Sequence, residues 1–334
     1  MKIWLAAFVG SVALLPVPAF AWGALGHHII GALAMENLPA DMPGFLRAPG
    51  MASQIGELAR EPDRSRNAGQ PHDDDRDPGH FVDVSDDLTI LGGPSLKALP
   101  ANRKDYDTAL RAVGATQYKA GFLPYSIIDG WEQLKMDFAL WRADSAGEKF
   151  AKTDADRAWL ANDRLLREML VVRDLGIWAH FVGDGSQPMH ASVHYNGWGD
   201  FPNPEGFVTA PGFHSKFESA YVNANIAEAD VAAFMRPFED CGCAITAQTS
   251  AYLIATQAQV APVYRLEKAH AFDTTTPDGK AFRAQRIADG ANMLRDMIVE
   301  AWRQSDDMVL GYTQKEPVKD IEAGKYDPLA ILRD

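Results

Sequence analysis

The feature that most constrains this chain is the stretch from Ile177 to His190, which reads IWAHFVGDGSQPMH. His180 and Asp184 are four residues apart, so on a helix both side chains lie on one face, one turn from each other. The GDGSQP run ends the helix, because glycine lowers helix stability and proline lacks a backbone donor. His190 can then turn back toward the same point. Three ligand-type side chains at one helix end predict a zinc site.

The remainder of the chain has the apolar spacing of helices, without an internal repeat or a β-rich region. Predicted helices cover residues 23–38, 51–59, 106–113, 124–143, 154–182, 213–223, 227–235, 245–270 and 281–304. Loops rich in glycine, proline or aspartate separate them, and a short extended segment is expected at 80–84. The sequence therefore predicts an all-α fold: a single multi-helix domain over residues 22–310, followed by a polar C-terminal tail over 311–334 that wraps the surface.

The N-terminus has the pattern of a secretory signal peptide over residues 1–21. Lys2 precedes an apolar run, and Ala19-Phe-Ala21 is a small-residue cleavage site. The apolar run is short for a transmembrane span. We therefore expect a secreted or periplasmic protein that begins at Trp22 and has no stable membrane insertion. Such a compartment permits disulfides, and the CGC tripeptide with Cys241 and Cys243 leaves open a local disulfide or two inert thiols.

The formal net charge of −13 limits the partners that this chain can bind. Duplex DNA and anionic membranes call for clusters of lysine and arginine, which an acidic surface does not provide. A polyanionic substrate is not excluded, however, because bound zinc would make the site itself locally positive.

Further ligand-type residues repeat the pattern of the first stretch. His214 and Glu218 form a second pair four residues apart, in GFHSKFE. Two such pairs, together with His80 and His190, give more imidazole and carboxylate than a structural zinc needs. A lone histidine on an apolar helix face is usually a core residue. Here His80, His180, His190 and His214, four of the nine histidines, lie in ligand-type contexts, so a purely structural role for all of them is the weaker interpretation.

These residues stand in ordered motifs that resemble two related families. WGALGH at 22–27, HFVD at 80–83 and HFVGDGSQPMH at 180–190 resemble the zinc-dependent single-strand nucleases of the S-one/P-one type. QPMHA at 187–191 and GFHSKFE at 212–218 are more similar to the bacterial zinc-dependent phospholipases C. Both families have an all-helical fold and a three-zinc phosphodiesterase site, and the resemblance extends over residues 22–223.

The resemblance implies three Zn²⁺ ions with nine protein ligands. The first zinc would take Asp63, His80, His180 and Asp184; the second would take His190, His214 and Glu218; the third would take Asp184 as a bridge, His27, and the amino nitrogen and carbonyl oxygen of Trp22. Glu57 and Glu61 are alternatives to Asp63, and His28 is an alternative to His27. Because Trp22 has a free amine only after signal cleavage, an N-terminally extended protein is expected to lack the third zinc.

The implied chemistry is hydrolysis of a phosphodiester by a zinc-bound hydroxide. Closely spaced zinc ions lower the pKa of a shared water and offset charge on the phosphate. Asp83, close to His80, matches the carboxylate that orients or deprotonates this nucleophile in the family. Arg64 or Arg66 could contact the phosphate, although both could equally be surface residues.

Three hypotheses about function follow, and the first is preferred. It is a monomeric single-strand nuclease/3′-nucleotidase that acts on DNA, RNA or nucleotides, with Tyr195, Trp198, Phe201 or Phe207 stacking on a base unless these residues only pack the loop. The alternative is a zinc-dependent phospholipase C acting on phosphatidylcholine-type head groups, because Glu218 as last ligand is typical of the phospholipases. In that case Phe81 or Trp198 could face a choline cation. The third is a non-catalytic zinc-binding protein, against which Asp83 and the N-terminal ligand argue.

Overall fold

The computed structural model describes residues 22–333, and the predicted signal peptide lies outside the described residues. Within this part the secondary structure is helical apart from one two-stranded hairpin and isolated bridges, which confirms the all-α prediction. The helices are α1 (Gly23–Glu36), α2 (Met51–Leu58), α3 (Glu61–Arg64), α4 (His72–Arg76), α5 (Arg103–Ala112), α6 (Gln117–Ala120), α7 (Leu123–Phe150), α8 (Asp154–Asp184), α9 (Phe213–Ser215), α10 (Tyr221–Asn225), α11 (Glu228–Ala232), α12 (Ile245–Gln257), α13 (Val260–Lys268), α14 (Pro277–Gln304), α15 (Val318–Glu322) and α16 (Pro328–Leu332). The strands are β1 (Val309–Leu310) and β2 (Glu316–Pro317), paired antiparallel. None of the described helices is both long and apolar enough to cross a bilayer.

The two longest helices to pack directly on each other are α7 and α8, and their contact depends on a glycine. A Cβ at Gly130 would lie 2.1 Å from Cδ1 of Trp178, so only glycine lets the indole lie against α7. The same indole donates to the carbonyl of Ile127 at 2.9 Å. Trp131 of α7 donates in turn to Met297 of α14 at 3.0 Å. These buried bonds fix α8, and therefore the ligands at its C-terminal end, against the core.

Helix α8 begins where the sequence predicts, because Thr153 accepts a hydrogen bond from the backbone of Asp156 at 3.1 Å, as an N-cap residue does. Its C-terminal half is covered by α1 and α2. At the contact with α2, Gly176 leaves room for Leu58, whose Cβ would be 2.3 Å from a Cβ at 176. The metal-ligand face of α8 is thereby enclosed by the N-terminal helices.

Several predicted boundaries differ from the structure. The helix expected over 245–270 is two helices, α12 and α13, and the reason is Pro262, whose ring cannot follow an unbroken helix four residues after Ala258. The residues expected as loops at 60–64 and within 67–79 contain α3 and α4. The segment at 80–84 is extended, as predicted, and Val84 forms an antiparallel bridge with Ile90.

The C-terminal segment is more ordered than a polar tail. After β1 and β2, helices α15 and α16 pack on α7 and bury Val318, Ile321 and Ile331 in a small cluster with Ala139 and Ala143. Three apolar residues in a polar stretch are enough to attach it, although its average composition does not reveal them. Of the two alternatives for the cysteines, the structure has the disulfide, between Cys241 and Cys243.

Candidate metal centre and its cleft

The end of α8 brings its ligand-type residues together as the sequence predicts. His180 and Asp184 are both fully buried, and the distance from His180 Nε2 to Asp184 Oδ2 is 3.3 Å. A 3-10 turn, Pro188–His190, returns the chain toward them. There His190 Nδ1 lies 2.6 Å from the carbonyl oxygen of His80, which holds the ring with Nε2 toward His214 and Glu218.

The first group of ligand-type atoms consists of Asp63, His80 and His180, which lie within 4.8 Å of one another. His180 Nε2 is 2.9 Å from His80 Nδ1 and 3.8 Å from Asp63 Oδ1. The other ring nitrogen of His180 lies 2.8 Å from the carbonyl oxygen of Ala59. A donor bond from Nδ1 to a carbonyl leaves Nε2 with its lone pair toward the centre, which is the tautomer that a metal needs.

The second group consists of His190, His214 and Glu218. Glu218 Oε1 lies 2.6 Å from His214 Nε2 and 3.3 Å from His190 Nε2. The predicted helix over 213–223 is present, but residues Lys216–Ala220 form a π-helical turn between α9 and α10. Glu218 Oε1 also accepts a hydrogen bond from the side-chain amide of Gln187. The side-chain Oε1 of Gln187 accepts in turn from Met189 N at 2.8 Å. Gln187 thus links the end of α8 to the second group.

The third group consists of His27, His180 and Asp184. His27 Nε2 lies 3.5 Å from Asp184 Oδ1, and its ring stacks on His180 with centroids 3.8 Å apart. Trp22 is fully buried. Its indole is held beside this group, since it donates to Gly183 O at 3.0 Å and to Ser186 Oγ at 2.9 Å. The resemblance did not place His180 in this group, whereas the structure puts His180 between the first group and the third.

The alternative ligands stand outside the three groups. His28 Nδ1 pairs with Glu57 at 3.2 Å on a partly exposed surface. Glu57 and Glu61 also form ion pairs with Arg64. Arg64 therefore belongs to a surface network, and of the two arginines considered for phosphate contact, Arg66 is the one that lines the cleft described below.

Unsatisfied buried atoms show that the groups fit metal ions. Among the described residues, both ring nitrogens of His27, Oδ1 of Asp63, Oδ1 of Asp184 and Oε2 of Glu218 are buried without a hydrogen-bond partner. Each such atom costs about 1–3 kcal/mol when nothing compensates it. Nitrogen and oxygen donors from histidine and carboxylate are ligands that zinc prefers. The three groups therefore fit a three-zinc site.

The protonation states of the buried ligands are set by their charged neighbours as well as by burial. Burial lowers the pKa of His80 to about 4, so its imidazole is neutral. Burial alone would raise the pKa of Asp184, but the imidazoles of His180 and His190 outweigh it and hold that pKa well below its usual range. Burial would lower the pKa of His190, whereas Asp184 and Glu218 raise it to about 9, so a metal bound there would displace a proton.

A cleft of about 330 Å³ opens onto the first and second groups. It is lined by Arg66, His80, Phe81, Asp83, Lys119, Met189, His190, Tyr195, Asn196 and His214. Asp83 is half-buried, and burial raises its pKa to about 7 against the opposing charge of Lys119. Its backbone N–H donates to Ala120 O at 2.8 Å, which fixes this part of the chain at the cleft wall. Asp83 therefore lies where the sequence predicts a catalytic carboxylate.

Sequence reasoning gave no role to two polar residues of the cleft wall. Lys119 is an exposed residue of the short helix α6, and no motif marks it. Asn196 accepts hydrogen bonds through Oδ1 from Gly212 N at 2.8 Å and from His214 N at 3.3 Å. It thereby holds the loop over 195–212 against the start of α9. Its position shortly after His190 was the only available signal.

Most of the aromatic residues considered for stacking pack the loop instead. Trp198 is 7% exposed and stacks on His194 with ring centroids 3.7 Å apart, and Phe207 is 5% exposed. Phe201 packs edge-on to His194. Of the two roles that the sequence leaves open for Trp198 and Phe207, contact with a ligand or packing of the loop, the structure has the packing. Tyr195 and Phe81 are the aromatic residues that line the cleft.

Comparisons with known proteins add little to this geometry. No family model matches the sequence, and no curated protein matches it. The alpha toxin of Clostridium absonum is 13% identical, with a TM-score of 0.41 over 87% of this chain and 68% of that chain. The alpha-toxin of an avian strain of Clostridium perfringens is also 13% identical, with a TM-score of 0.33 over 88% and 69%. At these TM-scores the two similarities carry no argument about activity.

Proposed function

We propose that this protein is a secreted zinc-dependent phosphodiesterase. The observation that carries the proposal is the arrangement of three adjoining ligand groups, two of which open onto a cleft that also holds Asp83, Arg66 and Lys119. A metal-storage protein needs neither a half-buried carboxyl in the same cleft as the ligands nor cationic side chains around the opening. A phosphate diester needs both, since charge develops on its oxygens and a proton must leave the attacking water.

Each cleft residue has a role that its chemistry supports. Zinc ions bound here would supply Lewis-acid stabilisation of phosphate oxygens and water of lowered pKa. Asp83, with a pKa of about 7, accepts a proton near neutral pH. Arg66 and Lys119 bind oxygens of the phosphate that point away from the ligands. Phe81 and Tyr195 contact the group esterified to it.

The favoured substrate is a phospholipid head group, so the preference of the sequence for a nuclease is reversed. Glu218 is fully buried and contacts both histidines of its group, which supports the phospholipase-type ligand set. The burial of Trp198 and Phe207 removes two of the four side chains that were expected to stack on bases. A cleft of about 330 Å³ suits one head group better than several nucleotides.

Single-stranded nucleic acid remains the second candidate, because one observation favours it. Arg66 and Lys119 both line the cleft of a chain whose net charge is −13. Cationic side chains track a phosphate backbone, and Phe81 with Tyr195 would stack on a base beside it.

The deciding experiment is a substrate panel on the zinc-loaded protein. Phosphatidylcholine in micelles, single-stranded DNA, single-stranded RNA and 3′-AMP are assayed in parallel, with Asp83→Asn as the inactive control. Turnover of phosphatidylcholine alone is the expected result. Turnover of nucleic acid alone would restore the nuclease, and no turnover of any substrate would leave a zinc-binding protein.

The variant Lys119→Met separates the two substrate classes further. If a head group is the substrate, one lost phosphate contact lowers kcat/KM by about tenfold and leaves its salt dependence almost unchanged. If a strand is the substrate, the same change reduces the slope of log kcat/KM against log salt by about one. Lys319→Met, at an exposed lysine outside the cleft, is the matched control.

Secretion with cleavage after Ala21 is part of the proposal. Trp22 is held by its indole next to the His27 and Asp184 group, so a free amine at this residue would lie beside that group. Trp22 also has φ of 42°, a left-handed value that is costly for a bulky residue within a chain and has no cost at a chain terminus. N-terminal sequencing of the exported protein tests the cleavage. Metal analysis tests the ligand: three zinc ions in an N-terminally extended form would contradict it.

A further inference from the structure

His194 is a fully buried histidine that belongs to none of the three ligand groups. Its Nδ1 lies 2.9 Å from the carbonyl oxygen of Trp198, and its Nε2 lies 3.0 Å from Oδ1 of Asp86. One face of the ring stacks on the indole of Trp198, with centroids 3.7 Å apart and planes inclined by 11°. Because both ring nitrogens face oxygen atoms and one ring face is covered, the imidazole is fixed in one orientation.

Asp86 connects this ring to the segment that carries Asp83. Two backbone hydrogen bonds, of 2.8 and 3.0 Å, join that segment to residues 190–193, from Val82 N to His190 O and from Val193 N to Val84 O. The pair of Asp86 with His194 continues the same row of contacts. The side chain of Asp86 is 61% exposed, so the pair can be broken from the surface without a change in the core.

The two residues that follow His194 belong to the cleft and begin the loop over 195–212. Tyr195 and Asn196 both line the cleft wall. Asn196 Oδ1 accepts a hydrogen bond from the backbone N–H of His214 at 3.3 Å, and His214 is a member of the second ligand group. His194 is thus connected to a candidate metal ligand through two residues of backbone and one hydrogen bond.

The remainder of this loop has supports of its own. Asn203 exchanges two hydrogen bonds with the backbone of Phe207, at 2.7 and 2.8 Å. Glu205 accepts two hydrogen bonds from the guanidinium of Arg265, at 2.7 and 2.9 Å. We therefore expect the loop to stay folded when the contact with Asp86 is lost, and only its first residues to gain freedom.

We propose that His194 is a positioning residue of the candidate site. With Asp86 it forms a clamp, here named the His194–Asp86 clamp, at the start of the loop. The clamp holds Tyr195 and Asn196 in the cleft wall and, through Asn196, the backbone of His214. The effect on the cleft wall rests on the proposed function, because it concerns contacts with a substrate. The effect on His214 concerns zinc binding, and it is measured without any turnover.

Asp86→Ala removes one end of the clamp and leaves the buried ring in place. The affinity of this variant for one of the three zinc ions, the ion of the second group, is expected to be about tenfold lower than that of the wild type, because residues that orient metal ligands contribute about 10–100-fold to affinity. Competition with a chelator measures this affinity. Asp86→Asn is expected to restore it, because the amide can donate to a ring nitrogen or accept from it.

At saturating zinc, Asp86→Ala is expected to raise KM by about fivefold and to leave kcat almost unchanged, because a loosened cleft wall weakens the binding of ground state and transition state alike. KM is measured for phosphatidylcholine in micelles, and for single-stranded DNA if the substrate panel selects it. A general loss of stability would instead lower the amount of active protein, and therefore the apparent kcat, with KM unchanged.

Asp87→Ala is the matched control. Asp87 is an exposed carboxylate of the same turn, and the hydrogen bonds that it accepts from N and Oγ1 of Thr89, at 2.9 and 2.7 Å, stay within that turn. Its zinc affinity and KM are expected to be those of the wild type. Hydrogen exchange over residues 194–200 is expected to become faster in Asp86→Ala and not in Asp87→Ala.

The outcomes separate the clamp from the proposed function. Unchanged zinc affinity in Asp86→Ala, an equal loss in Asp87→Ala, or no rescue by Asp86→Asn would overturn the clamp. A lower zinc affinity with an unchanged KM would overturn its role in the cleft wall. If the zinc affinities differ as expected and no substrate is turned over, the clamp stands and the proposed function fails.

Discussion

Two buried carboxylates on the packed helices α7 and α8 behave in opposite ways. Asp184 and Asp144 are both fully buried. The pKa of Asp184 is held well below its usual range, because the imidazoles of His180 and His190 outweigh its burial. The pKa of Asp144 is raised to about 8, first by burial and then by the neighbouring carboxyl of Asp163. Equal burial thus gives a ready anion at one site and a neutral acid at the other.

The difference shows that the neighbours, and not the burial, make a carboxylate into a metal ligand. Around Asp184, ring nitrogens of His80 and His180 lie 3.0 and 3.3 Å from Oδ2. The other carboxylate oxygen, Oδ1, is buried without a hydrogen-bond partner and is available to a cation. Around Asp144, a second carboxyl competes for the same space and Arg167 compensates only in part. Asp83 is intermediate: it is half-buried, with a pKa of about 7. Asp184 therefore suits a metal ligand, Asp144 a neutral structural acid, and Asp83 a base.

The largest effect is expected for Asp184→Asn. Asp184 lies in the third group and also within 3.0 Å of His80 and 3.3 Å of His180 in the first. An amide cannot supply the bridging charge, so we expect the loss of two of three zinc ions and of activity by about 1,000-fold or more. Zinc per chain, measured by elemental analysis, checks this.

Asp144→Asn is the control for that substitution, because it makes the same chemical change in an equally buried residue of the other site. Its zinc content is expected to be unchanged. Equal zinc loss in both variants would mean that burial alone decides the outcome, and would break the comparison.

The next effect is expected for Asp83→Asn, which removes the intermediate carboxylate. Activity of the wild type is expected to rise with pH through about 7, because Asp83 must lose its proton to act as a base. The variant keeps its zinc, loses about 100-fold or more in kcat, and no longer shows this ionisation. The pH profile of kcat/KM from pH 5 to 9 measures it. An unchanged profile would assign Asp83 a structural role.

A smaller effect is expected at a buried cation, Arg283 of α14. Its Nε donates to Phe217 O at 2.6 Å and its Nη2 to Lys216 O at 3.3 Å, both in the π-helical turn that carries Glu218. The guanidinium also lies 3.7 Å from the ring centre of Tyr221. We therefore expect Arg283→Met to weaken zinc binding at the second group by about 10–100-fold, with partial rescue by Arg283→Lys.

Competition with a chelator, followed as the release of one zinc ahead of the others, measures that affinity. Arg295→Met is the matched control, because Arg295 is a buried arginine of the same helix that pairs with Asp296 at 2.7 Å, away from the ligands. It is expected to lower the melting temperature without changing zinc release. If both variants release zinc alike, Arg283 supports only the fold.

The sequence predicts the metal centre better than its surroundings, for a physical reason. His180 with Asp184, and His214 with Glu218, are helical pairs whose geometry follows from the regular rise of the helix. His80 and His190 stand out by residue type near these pairs, and the resemblance adds His27 and Asp63. All of these side chains meet in the structure. Local spacing and a known motif order are sufficient where the ligands are carried by regular elements.

What the sequence could not predict depends on contacts between distant residues. Lys119 reaches the cleft because α6 packs near the extended segment at 80–84, and no pattern within α6 indicates this. The partners of the ligand rings are the backbone carbonyls of Ala59 and His80, which have no sequence signature. Asp144 and Asp163 meet across α7 and α8 only because of the register of those helices.

The smallest effect is expected for the stability of Asp144→Asn. The folded pKa of Asp144 is about 8, above its ordinary value of 3.8. Below about pH 4 the carboxyl is neutral in both states and costs nothing. As pH rises from 4 toward 8, the unfolded chain loses the proton and the folded chain keeps it, so the wild type is progressively destabilised. Asparagine cannot ionise, so the free energy of unfolding of the variant is expected to exceed that of the wild type by on the order of 2 kcal/mol at pH 9 and by nothing at pH 4.

Urea unfolding of both proteins at pH 4, 7 and 9 measures the difference, with Glu239→Gln as an exposed control. A constant difference across these pH values would show that Asp144 is ionised in the folded protein, and that its neighbours resemble those of Asp184 after all.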